Sequence, residues 1–342
     1  MVDITVMGAG IFGLSVAWAC ARRGVRVRVI DPHGPGAGAS GGIVGAMAPH
    51  VPELWNSKKA FQLESLLMAS DFWSEVAEVS GHSPGYARLG RLQPIADAAA
   101  LKLAAERIEN AATLWQGQAE WRIIPESGPW CPPSATGQII HDTLTARLHP
   151  RQACAALVAA LRARGSEVVT DGKPTGRILW ATGIAGLDAL SAAHTRIVGN
   201  GVKGQGALLA YDARDQPQIF ANEVHIVPHE DGTTAIGSTS ERYYDDPTSI
   251  DAQLDDVIAR AVAAVPALSG APVIARWAGV RPRSRSRAPM LGAHPFRPGE
   301  FLANGGFKIG FGMAPKVGAV MADLMLDGID RIPDDFKPEA SL

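Results

Sequence analysis

Two hydrophobic rhythms run along the chain. One is short and either unbroken or alternating, as in Ile4-Thr5-Val6-Met7, Val25-Arg26-Val27-Arg28-Val29-Ile30 and Arg177-Ile178-Leu179-Trp180, and it predicts strands. The other recurs at helical spacing. From Ser57 to Ser80, the residues Phe61, Leu63, Leu66, Leu67, Phe72, Trp73 and Val76 supply one apolar face. Further helices are predicted over Leu14 to Arg23, Ala98 to Trp115, Ile250 to Val265 and Ala314 to Leu326. Another opens at His149-Pro150-Arg151 and runs through Ala163 to Gly165, with proline in its first turn. Glu167-Val168-Val169 and Leu89 to Ile95 read as strands, and residues 196 to 280 read as mostly β around the helix at Ile250.

The first strand runs straight into Gly8-Ala9-Gly10-Ile11-Phe12-Gly13 and a helix, and the second strand ends on Asp31. This order of strand, glycine turn, helix, strand and acid is a dinucleotide-binding unit. Gly8 permits the tight turn, Gly10 lets the backbone approach a pyrophosphate, and Gly13 lets helix and strand pack closely. Amides at the helix start face the phosphates, and Asp31 is placed to accept hydrogen bonds from an adenosine ribose. The next segment, Pro32 to Gly42, is too rich in Gly and Pro for regular structure and predicts a loop that something approaches closely. A second strand-to-glycine turn occurs at Ala181-Thr182-Gly183, and a third glycine-rich segment at Gly305 to Gly312 precedes the last helix. Nucleotide signatures at the beginning, middle and end of the chain imply a discontinuous cofactor domain with a second domain inserted in pieces.

The length of 342 residues fits about two domains. A net charge of −2 gives no electrostatic case for nucleic acid as partner. No apolar run reaches the ~18 residues of a membrane span, and the N-terminus has no basic leader. Cys20, Cys131 and Cys154 are scattered and odd in number, which fits reduced thiols and a cytoplasmic location. No metal-ligand spacing occurs: His225 and His229 are separated by the helix breaker Pro228, and His141 and His149 have no suitably spaced partner.

The combination of motifs resembles the FAD-dependent amino-acid and amine oxidases of the D-amino-acid oxidase, glycine oxidase and sarcosine oxidase type. Besides Gly8 to Gly13 with Asp31, the matching pieces are Ala39-Ser40-Gly41-Gly42 with Gly45, Gly90-Arg91-Leu92, and Ala181-Thr182-Gly183. Val202-Lys203-Gly204-Gln205, Trp277-Ala278-Gly279-Val280-Arg281-Pro282 and the C-terminal glycine segment complete the set. The resemblance implies an α/β fold: a Rossmann-like FAD domain with an interleaved α+β substrate domain on a mostly antiparallel sheet. Residues 1–50, 142–195 and 281–342 are expected to form the FAD domain, and 51–141 with 196–280 the substrate domain. FAD would be bound by Gly8, Gly10, Ile11, Phe12, Gly13, Asp31 and Pro32 at its adenosine and pyrophosphate. Ala39, Ser40, Gly41, Gly42, Gly45 and Ala46 would pass the pyrophosphate and ring. Thr182 and Gly183 join them from the middle of the chain. Gly306, Phe307, Lys308, Ile309, Gly310, Phe311 and Gly312 would bring the last helix start to the flavin's pyrimidine side. The region from Arg281 to Gly312 has no cysteine, so FAD is expected to be non-covalent. One departure is visible: only Thr170 to Gly176 lies where the family usually carries a β-meander.

The resemblance also implies the chemistry, the oxidation of the C–N bond of a small amino acid or secondary amine to an imine. Hydrolysis would give an oxo acid, with oxygen or a quinone or other carrier as electron acceptor. Arg281 is the leading candidate to hold a substrate carboxylate, since its planar fork pairs with it at two points. Lys308 is the second. Arg281, Arg283, Arg285 and Arg287 alternate and would share one strand face, the last three as a solvated edge. His50 lies just past the flavin loop, and Tyr243 or Tyr244 could close over substrate. The alternative class is a non-catalytic FAD-binding subunit or module of a larger dehydrogenase complex. Substrate side chain, chirality and oligomeric state are not encoded in any of these signals.

Overall fold

The computed structural model describes residues 2–342. Its central layer is a six-stranded sheet. In spatial order the strands are Met290–Ala293, Phe301–Asn304, Arg177–Trp180, Ile4–Met7, Val27–Ile30 and Glu167–Val169. All run parallel except Met290–Ala293, which turns back antiparallel on its neighbour. The central strands are covered on both faces, so Ile4, Val6, Val29 and Leu179 are all buried and the runs read as apolar. Helices Ile11–Ala21, Ser57–Ser80, Pro150–Ala163 and Gly310–Asp327 pack together over one core with Leu14, Trp18, Leu66, Trp73, Leu157, Val317 and Met321. The first and last helices cross closely because Gly318 sits on the backbone of Ser15, where an added Cβ would lie 2.7 Å from the carbonyl oxygen.

Helix Ser57–Ser80 starts where the Asn56 side chain accepts the Lys59 amide at 3.0 Å, and it stops at Gly81, whose φ is 69°. The last helix begins at Gly310, one turn earlier than its apolar pattern predicts.

The second sheet has eight strands. Their order is Val273–Ser284, Gly199–Leu209, Thr234–Gly237, Val224–Pro228, Gln218–Ala221, Arg91–Pro94, Gln138–Asp142 and Trp121–Pro125. It is antiparallel except where Gln218–Ala221 meets Arg91–Pro94. Helix Ala252–Ala264 covers one face through Leu254, Val257 and Ala261. The register places Phe220, His225 and Gly237 side by side on the other face, with Gly206 and Trp277 continuing the row. That face looks toward the nucleotide unit.

The longest strand, Val273–Ser284, runs through the expected domain boundary at residue 280. It also ends before the arginine alternation does. Only Arg281 and Arg283 lie on it, while Arg285 reaches the carbonyl of Leu342 and Arg287 sits in a turn at φ 63°. The four arginines therefore do not share one face. Between Glu167–Val169 and Arg177–Trp180 there is only a turn, held down by Thr5, whose hydroxyl donates to the Thr175 carbonyl at 2.7 Å and accepts its amide at 3.0 Å.

Candidate active site

The two sheets face each other across a single large cavity of about 1230 Å³. Ordinary small-molecule pockets enclose roughly 300–1,000 Å³, so this one has room for a dinucleotide and a second small ligand. At one end lies the first glycine turn. Gly8 has φ 107°, and a Cβ there would stand 2.7 Å from the carbonyl carbon of Ala181. Helix Ile11–Ala21 starts at Gly10 without any side-chain cap, and the Ser40 hydroxyl accepts the Ile11 amide at 2.9 Å. Asp31 accepts the Ala9 amide at 2.8 Å and the His33 amide at 3.0 Å, which fixes its carboxylate at the cavity wall.

Gly13 and Gly41 are the two expected cofactor residues that do not line the cavity. Gly13 packs against the Gly8 carbonyl, and Gly41 packs against that of Gly36. Their glycines serve close backbone approach behind the wall. The remaining expected cofactor residues line it, from Gly8 and Pro32 through Ala39, Ser40, Gly42, Gly45 and Ala46 to Thr182, Gly183 and the segment Gly306 to Gly312.

The loop carrying Gly42 to Ala46 is held from behind. Gly45 has φ 73° and backs onto the Leu148 carbonyl, and Ala46-Met47 pairs with Ala146-Arg147. The Val44 carbonyl is bonded to His229 Nε2 at 3.1 Å. Burial pushes His229 down to about 4, so this ring is neutral at ordinary pH and donates through Nε2. At the other side of the cavity, Phe307 turns the chain at φ 44° and helix Gly310–Asp327 presents an uncapped N-terminus. Glycine at 306 is required there, because a Cβ would stand 2.9 Å from the Phe12 ring.

The antiparallel sheet supplies the charged end. Arg281 is buried beside the cavity, and its guanidinium lies across Gly204, where any side chain would collide with it. It donates to Ser238 Oγ at 2.8 Å and the Thr239 carbonyl at 3.4 Å. Burial lowers it to about 10, partly offset by Glu241. Glu241 itself pairs with the buried Lys203 at 3.4 Å and accepts from Gln205 at 3.0 Å. Lys308 has no ion pair or hydrogen bond among the described residues, and burial, then the charge of Arg281, holds it below the usual lysine range. Two cations thus line one cavity without a carboxylate of their own.

The wall also contains residues that the sequence reading left without a role. Arg91, quoted only as part of a short motif, is buried and paired through Nε with Asp142 at 3.0 Å. His225 stands next to Phe220 with ring centroids 4.7 Å apart, and burial pushes it down to about 3. Trp277 lies over Gly42 and Gly279. A histidine inside the apolar run Val224-His225-Ile226-Val227 was the available signal. His50 does line the cavity, where its Nδ1 is bonded to Gln62 Oε1 at 2.5 Å. Neither tyrosine does. Tyr243 is 94% exposed, and the Tyr244 hydroxyl sits against Gly201. The polar turn that carries them folds back on strand Gly199–Leu209 instead. No cysteine lines the cavity, and among the described residues no group of three or more His, Cys, Asp or Glu could hold a metal ion. No described helix is long and apolar enough to cross a membrane.

The family model for FAD dependent oxidoreductase matches residues 3–324. A glycine oxidase of Geobacillus kaustophilus is 26% identical over 94% of this chain and 92% of its own length. Among solved structures, iminodiacetate oxidase from Chelativorans sp. BNC1 superposes with a TM-score of 0.86 at 21% identity, covering 98% of this chain and 99% of that one. L-proline dehydrogenase from P. horikoshii gives 0.82 at 20% identity, covering 98% and 96%.

Proposed function

The chain belongs to the family of FAD dependent oxidoreductases, and we propose that within it this protein oxidises the C–N bond of a small amino acid or secondary amine. The product would be an imine that hydrolyses to an oxo acid. The observation that carries the reading is the pair Arg281 and Lys308, lining the cofactor's own cavity without carboxylate partners among the described residues. Leaving buried cations unpaired is costly, and a fold that only stores a cofactor has no use for it. A substrate carboxylate would complete both.

Bound FAD supplies a two-electron acceptor for the hydride, with oxygen or another carrier taking the electrons onward. The chain's own residues do the rest. Arg281, clamped by Ser238 and Thr239, and Lys308 would hold the substrate's carboxylate and so fix its orientation in the cavity. Uncapped amides at Gly310 to Gly312 would stabilise negative charge on the pyrimidine side of a bound ring. Trp277 and Phe220 line the same cavity and would help keep water from a bound ring. The test is anaerobic mixing of the yellow protein with glycine, sarcosine, proline and D-amino acids. Bleaching by at least one supports the reading, and no bleaching by any removes it.

Three results are expected at this level. FAD should leave with the supernatant on acid precipitation, because no thiol faces the cavity and Cys20 and Cys154 are buried with their pKa raised to about 12. Flavin remaining in the pellet would contradict this. Asp31→Ala should weaken FAD binding about ten- to a hundredfold, the worth of a charge-assisted hydrogen bond of about 1.5–3 kcal/mol. An unchanged dissociation constant would take Asp31 out of the site.

The third concerns pH. A carboxylate binds the protonated forms of Lys308 and Arg281, so affinity for acetate should fall as pH rises through Lys308's depressed pKa, below its ordinary 10.5. In Lys308→Met that limb should vanish, leaving one limb near the Arg281 value of about 10. An identical profile in wild type and Lys308→Met would separate Lys308 from the carboxylate.

A further inference from the structure

The substrate end of the cavity carries more positive charge than one carboxylate requires. Arg281, Lys308 and Arg91 all line it. In the eight-stranded sheet the strand of His225 lies between the strands of Arg281 and Arg91, and Lys308 lines the same cavity. Asp142 is the one carboxylate bonded to any of the three cations among the described residues. Glu241 is already occupied by Lys203 and Gln205. Glu223 stands at the exposed mouth of the cavity and pairs there with Arg260 at 3.8 Å.

How Asp142 holds Arg91 matters. The fully buried Asp142 accepts from Arg91 Nε at 3.0 Å and from the Thr145 amide at 2.9 Å. Both terminal amino groups of Arg91 have no hydrogen-bond partner among the described residues, although the side chain is only 7% exposed. Asp142 thus fixes the guanidinium from one edge and leaves the outer fork open toward the cavity, the edge that binds a carboxylate at two points. His225 lies beside it with neither ring nitrogen bonded, and its Nδ1 is buried. Held neutral by burial first and by the nearby cations second, the ring offers one N–H to an incoming oxygen.

We propose that Arg91, with His225, binds a second carboxylate of the substrate, whose first is held by Arg281 and Lys308. The inference rests on the amino-acid oxidation reading and narrows it to amino acids with two carboxylates. The second group sits either on the side chain, as in aspartate and glutamate, or on the nitrogen, as in an N-carboxymethyl amino acid. Three cations against the single bonded carboxylate of Asp142 leave two positive charges, which two anionic groups balance.

The experiment uses the FAD-loaded full chain. Its visible spectrum is titrated with the inert acids propionate and malonate, and butyrate and succinate, matched in chain length. The diacid is expected to bind about ten- to a hundredfold more tightly than its monoacid. Arg91→Lys keeps a cation beside Asp142, and His225→Phe keeps the ring's volume. Each should pull that ratio toward one. Equal affinities in the wild type, or a ratio unchanged in both variants, overturn the proposal. Anaerobic bleaching rates with aspartate and glutamate of both hands and with N-carboxymethylglycine then tell which position carries the second group. Bleaching by glycine or sarcosine without any advantage for diacids removes this inference and leaves amino-acid oxidation standing. Tight diacid binding without bleaching by any amino acid supports the Arg91 site and removes oxidation.

Discussion

Arg281→Ala should slow flavin reduction by its amino-acid substrate at least thirtyfold while flavin content stays near wild type. Truncating one partner of a buried charge pair costs about 2–5 kcal/mol, and ~1.4 kcal/mol is tenfold. The geometry makes the loss specific. The guanidinium is positioned by Ser238 and Thr239 and has only the bare Gly204 beneath it, so alanine leaves an opening that no neighbouring side chain fills. The substrate carboxylate would then face Lys308 alone. Arg283→Ala is the control, since Arg283 lies 5.6 Å over the Phe307 ring and does not line the cavity. Reductive half-reaction kinetics decide the matter. If Arg281→Ala reduces as fast and saturates at the same concentration as wild type, the carboxylate is held elsewhere.

Gly8→Val should give a colourless, destabilised protein. A residue with a Cβ at φ 107° carries backbone strain of about 1–3 kcal/mol, and its side chain would run into the carbonyl of Ala181. Forced overpacking adds about 1–3 kcal/mol. Because Gly8 directly follows the central strand and Ala181 directly follows its neighbour, relief of the clash must push apart two strands that pair directly. Gly24→Ala separates the two contributions, for Gly24 has φ 80° but nothing within 4 Å of an added Cβ. It should lose about 1 kcal/mol in urea unfolding and keep its flavin. Wild-type flavin content in Gly8→Val would show that the turn can relax.

The sequence was most readable where one residue type has one physical use. Gly8 and Gly10 before an apolar helix, with Asp31 after the next strand, announce the nucleotide unit because few other arrangements need glycine there. The helix Ser57–Ser80 was equally plain from its apolar face, and its bounds were those observed. Legibility fell in the antiparallel sheet. Val273–Ser284 contains arginine, glycine and proline in alternation with apolar residues, and most of it is half-exposed, so no burial pattern marks it. Its arginines looked like one row because the strand's end at Ser284 depends on a turn that only tertiary contacts fix. Arg91 and His225 were illegible for another reason. Each sits in an ordinary strand, and what distinguishes them is that Asp142 and Lys308 come to the same wall from distant parts of the chain.

The six-stranded sheet is assembled from three stretches of chain, residues 4–30, 167–180 and 290–304, and its last covering helix ends at Asp327. This sets a schedule for synthesis. The glycine turn emerges among the first residues made, but the wall that faces it across the cavity is nearly the last. At about 5–20 residues per second, the interval between Asp31 and Gly312 is roughly 14–56 s. Until the end of that time strand Arg177–Trp180 has no partner on the side of Phe301–Asn304, and the start of the first helix lacks its neighbour Gly306. A nascent chain therefore lacks the far wall of the FAD cavity until about the last tenth of its length is being made. Any nonsense or frameshift event that removes Gly310–Asp327 yields an open, apolar-edged intermediate rather than a smaller working enzyme, and cellular quality control meets it in that form.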